Sequence, residues 1–168
     1  QNILLKAFYI DRFEVTNRRY KIYIDDLNAV SPKHWEGNKF PDGQDKFPVI
    51  NVTWYDASNF CQWAEKQLPS EKQWEKAARG ETANEYPWGM EFHSNYANLS
   101  TKPGSKNSLS PVGSHPRSAT PLGVHDLIGN VWEWVEDNYS PYKGSSYQSK
   151  SFRDSLKVLR GQSAKDIG

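Results

Sequence analysis

Apolar residues recur at helical spacing in three stretches of the chain, and each stretch begins with a capping residue. Thr16 caps the first predicted helix, Thr53 the second and Ser70 the third. Asp56 and Gln73 stand where a capping box needs its second member in the second and third helices. The predicted inner faces are Tyr20, Tyr23, Ile24 and Leu27, then Ala57, Phe60, Cys61 and Ala64, and finally Trp74, Ala77 and Ala78.

Short apolar or alternating runs predict four strands, over residues 6–10, 48–52, 131–135 and 156–160. Between residues 81 and 121 the chain is rich in Gly, Pro, Ser and Asn and has few helix or strand signals. A long irregular segment inside a compact domain is unusual, and it is commonly functional or held in place by an ion. The whole pattern predicts the α+β class, with short strands, about three helices and much irregular structure.

The strand predicted at residues 131–135 carries an acidic residue on an otherwise apolar face. Glu133 shares that face with Val131 and Val135, because side chains alternate along a strand. A carboxylate buried there is costly unless a cation compensates its charge. Asp126 precedes the turn at Gly129, where bare carbonyls can point to the same place, and such oxygens suit a calcium ion. The residues also fit an edge strand with a solvated Glu133, and both interpretations remain open at this level.

Composition and charge exclude several classes of protein. A chain of 168 residues suits one domain with a single core, and its 14% aromatic content predicts a core of large rings. The net charge of +1 argues against nucleic-acid binding, which needs a concentrated basic face. No apolar run is long enough to span a bilayer, so no membrane span is predicted.

Cysteine and histidine do not form a recognisable site in the sequence. Cys61 is the single cysteine, so an intrachain disulfide is excluded, and its place on an inner helix face favours a structural role. The histidines lack the paired spacing of a zinc site, and a surface or capping role is expected for each of them: His34, His93, His115 and His125.

Five motifs occur in a recognisable order along the chain. They are PVINVTWYDASNFCQWAEKQLPSEKQWEKAARG at residues 48–80, YPWG at 86–89, NYANL at 95–99, PLGVHDLIGNVWEW at 121–134 and VLRG at 158–161. With them, the chain from about Phe8 to Gly161 resembles the formylglycine-generating enzyme, or sulfatase-modifying factor, family. The resemblance implies the sulfatase-modifying-factor fold, which is related distantly to C-type lectins, as a single domain over residues 1–168.

The resemblance also implies structural calcium. In the family, a calcium ion is held by the residues that match Asp126, Gly129, Val131 and Glu133, the middle two through their backbone carbonyls. A second calcium ion uses the positions that match Asn98 and Leu99, together with ligands further along the chain. Residues 102–110 offer no clear counterpart for those further ligands, so the second site is expected to be incomplete.

Catalysis in the family depends on a pair of cysteines that bind copper, activate oxygen and convert a cysteine of a target protein to formylglycine. The pair belongs just after an Arg-Gly-Gly-Ser motif, whereas here Gly161 is followed by Gln162 and no cysteine. Soft thiolates suit monovalent copper, and Cys61 alone cannot form the pair. We expect residues to be absent between about Gln162 and Ser163 and again after Gly168, so that the domain is incomplete at its C-terminal end.

Three functional hypotheses follow from the resemblance. The first is a calcium-stabilised, non-catalytic domain that acts as a binding or accessory module for a protein or peptide partner. The second is a copper-dependent, formylglycine-generating oxidase whose cysteine segment is missing, and copper is expected only in that case. The third is a lectin-like carbohydrate binder that uses exposed aromatic rings. A periplasmic or secreted location is expected.

Overall fold

Three α-helices and a two-stranded antiparallel sheet are the regular elements in the described part of this computed structural model, residues 4–99, 109–152 and 156–164. The α+β prediction is thus confirmed. In chain order the elements are α1 (Asn17–Leu27), α2 (Trp54–Trp63), α3 (Glu71–Arg79), a short 3-10 helix (Pro116–Ser118), β1 (Trp132–Asn138) and β2 (Lys157–Gly161).

The helix starts are where the capping residues predict them. The Thr16 hydroxyl accepts a hydrogen bond from Arg19 N at the start of α1. Thr53 and Asp56 form a complete capping box on α2, and Ser70 and Gln73 form another on α3. These short-range bonds satisfy backbone N–H groups that have no partner inside the helix, so the sequence alone determines where each helix begins.

The sheet consists of β1 and β2, with Glu133 opposite Arg160 and Trp132 opposite Gly161. The strands predicted at residues 6–10 and 48–52 are wrong. Residues 6–10 have no strand pairing, and in residues 48–52 only Pro48 pairs, through an isolated bridge to Thr16. The backbone there makes single contacts instead of a ladder, such as Val49 N to Val15 O at 2.8 Å.

Two apolar clusters form the core of the described residues. An aromatic cluster between α1 and α2 is built around Tyr20 and Phe60, whose rings stack with centroids 5.5 Å apart. A second cluster joins Trp74 and Ala78 of α3 to the sheet and the preceding loop, and its members are Trp74, Ala78, Val124, Leu127, Val135 and Val158. This second cluster includes Leu127 of the turn before β1 and Val135 of β1, and so it packs next to that turn.

Some of the predicted inner positions lie nearer the surface than the pattern suggests. Leu27 is exposed, because α1 extends beyond the aromatic cluster at its C-terminal end. Ala57, Cys61 and Ala64 are half-buried rather than buried, and Phe60 is the fully buried residue of α2. No helix among the described residues is long and apolar enough to cross a membrane.

Candidate metal site

The turn before β1 is built from backbone conformations that most residues avoid. Asp126, Gly129 and Asn130 all have positive φ angles, of 59°, 91° and 60°. Gly129 is required for a second reason, since a Cβ atom there would lie 2.5 Å from the carbonyl oxygen of Asn98. The backbone of the turn thus packs directly against that of the 95–99 segment, and this contact fixes the direction in which the chain enters β1.

Asn130 connects four parts of the chain at this turn, and it is 2% exposed. Its backbone N–H donates to Asn98 O at 2.9 Å, and its carbonyl accepts from Ala164 N at 3.0 Å. Its side-chain Nδ2 donates to Glu14 Oε1 at 2.9 Å, and its Oδ1 accepts from Ser110 N at 3.0 Å. The sequence indicates a turn at this position but not this network, because the partners are distant along the chain.

Asp126 is buried in the turn, with 4% of its surface exposed. One carboxylate oxygen accepts from Gly113 N at 2.6 Å, and the other accepts from the Ser118 hydroxyl at 3.2 Å. Residues of the long irregular segment therefore hold this carboxylate in position.

Glu133 projects from β1 on the inner face that alternation predicts, so the solvated edge-strand interpretation does not describe it. Its Oε2 accepts a hydrogen bond from Trp74 Nε1 at 2.8 Å. Burial raises the pKa of its carboxyl to about 7, the Trp74 hydrogen bond opposes that rise, and the charge of Asp126 adds to it. Glu133 and Asp126 therefore lie close enough for their charges to interact.

Glu14 is a third carboxylate at this place, and sequence reasoning missed it. Its Oε1 accepts from Asn130 Nδ2, whereas its Oε2 is buried without a hydrogen-bond partner. Burial, followed by the charges of Glu133 and Asp126, raises the pKa of its carboxyl to about 9. The signal that could have identified it is an acidic residue between the apolar residues Phe13 and Val15.

The donor chemistry at this place fits a hard cation. The charges of Glu14, Asp126 and Glu133 interact at this place, and the carbonyl oxygens of Val131 and Leu127 both lie beside Gly161. In the part of the chain described here, no group of three or more His, Cys, Asp or Glu side chains has the arrangement of a metal site. The predicted set does not depend on such a group, because Gly129 and Val131 would contribute backbone carbonyls.

The second predicted site starts at Asn98 and Leu99, which lie directly beside the first. The Asn98 carbonyl accepts from Asn130 N, and its side-chain Nδ2 donates to Asn130 Oδ1 at 3.2 Å. Leu99 is buried. Most of the 102–110 segment, the stretch compared with the further ligands of the family, falls outside the described residues, so this site stays a prediction.

The surface or capping role expected for every histidine is wrong for His125, which is buried. This residue is 7% exposed, its ring packs against Phe13 with centroids 4.9 Å apart, and its Nε2 lies 3.5 Å from Arg12 Nη2. His125 N also donates to Arg12 O at 2.9 Å. The loop before Asp126 is thereby joined to the N-terminal segment, a contact that spacing along the sequence does not indicate.

The family comparison agrees with the fold. The family model described as sulfatase-modifying factor enzyme 1-like domain matches residues 1–166. The chain belongs to this family, which includes the formylglycine-generating enzymes, as its motifs indicate.

The chain is similar to proteins with differing names. The chain is 35% identical over 155 residues to serine/threonine-protein kinase Pkn1 of Chlamydia trachomatis, covering 83% of this chain and 24% of that protein. It is 40% identical over 126 residues to inactive C-alpha-formylglycine-generating enzyme 2 of Bos taurus, covering 70% and 38%. It is 30% identical over 195 residues to hercynine oxygenase of Mycobacterium tuberculosis, covering 94% and 45%. The chain therefore spans less than half the length of each of these relatives.

Solved structures show the same fold. The crystal structure of CarF superposes with a TM-score of 0.67 at 20% identity, covering 94% of this chain and 75% of that chain. Treponema denticola variable protein 1 superposes with a TM-score of 0.63 at 25% identity, covering 90% and 71%.

Proposed function

We propose that this chain is a calcium-stabilised, non-catalytic domain of the family, which acts as a binding or accessory module for a protein or peptide partner. The observation that carries the proposal is that the carboxylates of Glu14, Asp126 and Glu133 interact through their charges at the turn before β1, where Glu14 Oε2 is buried without a hydrogen-bond partner. Without a compensating cation, the carboxylates of the buried Asp126 and of the half-buried Glu14 and Glu133 would repel one another and lose hydration. A calcium ion removes both costs, since its preferred ligands are carboxylate and carbonyl oxygens.

The ion would be held by the carboxylates of Asp126 and Glu133 and by the backbone carbonyls of Gly129 and Val131. It would serve the fold and not a reaction, because it would join the 126–131 turn to β1 and so to the core beneath. Asn98 and Leu99 are proposed as part of a second, incomplete site.

The non-catalytic part of the proposal is supported by the cysteine content. Cys61 is the chain's single cysteine and lies in α2, away from the 158–161 motif along the chain. Burial raises the pKa of its thiol, with a smaller contribution from the charge of Asp11. A raised pKa is the opposite of what a thiolate ligand or nucleophile needs. Copper therefore enters the account only for a longer chain that carries a cysteine pair.

A location outside the cytoplasm is proposed together with calcium. Extracellular calcium modules work with dissociation constants of about 10⁻⁴–10⁻³ M, which suits compartments rich in this ion. Carbohydrate binding is retained as a weaker alternative to a protein partner, and a glycan array tests it directly.

Isothermal titration with calcium tests the central part of the proposal. The chain, stripped of metal by chelation, is expected to bind calcium with measurable heat. Asp126→Asn and Glu133→Gln should each weaken binding by tenfold or more, since each removes a charged ligand. Asn tolerates the positive φ of residue 126, so the first variant keeps the turn.

Glu136→Gln is the matched control for these variants. Glu136 lies on the same strand but is exposed, so its removal should leave calcium affinity unchanged. Absence of calcium binding by the native chain would refute the proposal, as would equal weakening by Glu136→Gln.

A further inference from the structure

The connection between β1 and β2 is long and carries most of the exposed tyrosines of the chain. It runs over residues 139–156, and the structure describes residues 139–152 of it, here called the tyrosine-rich loop. Connections longer than about 12–15 residues without regular structure are uncommon in compact domains, and they are usually either functional or linker segments. Three of the five exposed tyrosines lie here, Tyr139 at 40%, Tyr142 at 69% and Tyr147 at 65% exposure.

Contacts within the loop and with α3 distinguish it from a free linker. The half-buried ring of Phe152 packs against the rings of Tyr139 and Tyr147, with centroids 5.1 and 5.8 Å away. The Tyr142 hydroxyl donates a hydrogen bond to Glu71 Oε1 of α3 at 2.8 Å. A loop held by such contacts loses less conformational entropy on binding than a free linker does. The tyrosine rings are therefore presented on a loop that is already ordered for contact.

A turn within the loop places a lysine between two of the exposed tyrosines. Ser145 N donates to Tyr142 O at 2.9 Å, and Gly144 has a φ of 87°. These two features fit a type II turn with glycine at its third position. Lys143 occupies the second position and is exposed, and Tyr147 follows the turn. The turn thus presents large rings and a cation on the same short segment.

Composition and charge indicate the kind of partner that this loop fits. Residues 139–152 contain three Tyr, five Ser and two Lys, and no Asp or Glu. Loops that recognise proteins are enriched in Tyr and Ser, because Tyr offers a large contact area at a low entropy cost and Ser adapts its hydrogen bonds. Tyr is also enriched at protein interfaces in general. The positive charge of the loop favours a partner surface that is acidic.

We infer that the tyrosine-rich loop is the surface through which this domain binds a partner protein, and that it takes an acidic segment of that partner. This inference rests on the binding role proposed above and specifies its site and the chemistry of its partner. The tyrosine rings provide most of the affinity, and Lys143 provides a faster association and selectivity for acidic segments.

Selection from random peptides displayed on phage tests the inference. The native chain in excess calcium is the target, and a double variant, Tyr142→Ser with Tyr147→Ser, serves to discard peptides that bind elsewhere. The peptides that remain should contain more Asp and Glu than Lys and Arg. In titration calorimetry, the double variant should bind a selected peptide about tenfold more weakly or worse, as expected for the loss of interface tyrosines.

Substitutions outside the loop provide matched controls. Tyr9→Ser with Tyr55→Ser removes two tyrosines of 105% and 72% exposure and should leave the affinity for the peptide unchanged. Lys143→Gln should weaken binding by about two- to fivefold at low salt and less at high salt, because salt screens an exposed charge. Lys33→Gln, at another exposed lysine, should have no effect. Circular dichroism and calcium titration establish that each variant is folded.

Three results would overturn the inference. The first is that no selected peptide distinguishes the native chain from the double variant. The second is that the selected peptides have no excess of Asp and Glu. The third is that the native chain, but not the double variant, binds phosphatidylserine vesicles in place of peptides, which would assign the loop to an anionic membrane surface.

Failure of this inference can be distinguished from failure of the calcium proposal, because none of these variants changes a proposed calcium ligand. If no peptide is selected while the native chain still binds calcium, the loop is not the binding surface and the calcium site stands. If the native chain does not bind calcium, the calcium site is refuted, and the same peptide selection without calcium then decides the role of the loop.

Discussion

Trp74 Nε1 donates a hydrogen bond to Glu133 Oε2 at 2.8 Å, and this bond joins the helix α3 to the candidate metal site on β1. Trp74 is 4% exposed and belongs to the apolar cluster beneath the sheet. Its ring thus packs the core while its N–H orients a carboxylate that would otherwise be surrounded by apolar groups. Stability of the core and geometry of the site are therefore coupled through a single side chain.

Substitution of Trp74 should separate its two roles. Trp74→Ala should lower the free energy of unfolding by roughly 3–5 kcal/mol, as truncation of a buried aromatic residue does. Trp74→Phe keeps a ring but leaves Glu133 without its donor, and it should cost about 1–3 kcal/mol. Urea denaturation measures both.

Trp132→Phe is the control for these variants, because Trp132 lies on the face of β1 opposite Glu133 and is 43% exposed. It should change the free energy of unfolding by less than about 0.5 kcal/mol. If Trp74→Ala is as stable as the native chain, the face of α3 that carries Trp74 is not part of the core.

Asn130→Ala tests the network that holds the turn. The variant removes the donor to Glu14 and the acceptor for Ser110, and it leaves both groups unsatisfied. It should cost roughly 3 kcal/mol or more beyond the backbone effect, since each buried unsatisfied group costs about 1–3 kcal/mol.

Asn51→Ala isolates the backbone effect. Asn51 has a φ of 58°, close to the 60° of Asn130, but it is exposed, and the 3.3 Å contact of its Nδ2 with His34 Nδ1 lies at the surface. In both variants, alanine at positive φ lowers the free energy of unfolding, and only Asn130→Ala also breaks the buried network. Equal losses in thermal denaturation would contradict the role given to Asn130.

The pH dependence of the metal-free chain should be inverted relative to that of most proteins. Burial raises the pKa of Glu133 to about 7 and that of Glu14 to about 9, from an ordinary value of 4.5. The folded chain therefore binds more protons than the unfolded chain between the ordinary pKa of 4.5 and the raised pKa of about 9. Stability should fall as the pH rises through this range.

Thermal denaturation in EDTA across this pH range measures the effect, and Glu14→Gln should flatten the upper part of the profile. Excess calcium should reduce the slope, because it compensates the ionised carboxylates. A stability that rises steadily with pH in EDTA would contradict the packing described for these acids.

The helices could be predicted closely because their signals are local. The capping boxes at Thr53 and Ser70 and the inner residue Trp74 depend on neighbours within a turn or two of helix. The strands at residues 6–10 and 48–52 were wrong because a strand exists only if a partner pairs with it, and pairing is not local.

The candidate site was predictable only where its signals are local in the sequence. Alternation along β1 places Glu133 on the inner face, the turn at Gly129 indicates Asp126 as its companion, and the motif resemblance adds the carbonyls of Gly129 and Val131. Glu14 could not be found in this way, because its contact with Asn130 spans 116 positions of the sequence. The burial of His125 against Phe13 is another contact of this kind.

Melting of the native chain with and without EDTA tests the central claim most directly. If the free calcium concentration is about 100 times the dissociation constant, binding adds roughly 2.7 kcal/mol to the free energy of unfolding. Chelation should therefore lower the melting temperature by several degrees. Added calcium in excess of the chelator should restore the original value, and Glu133→Gln should abolish the response to both. An unchanged melting curve in EDTA would contradict the account.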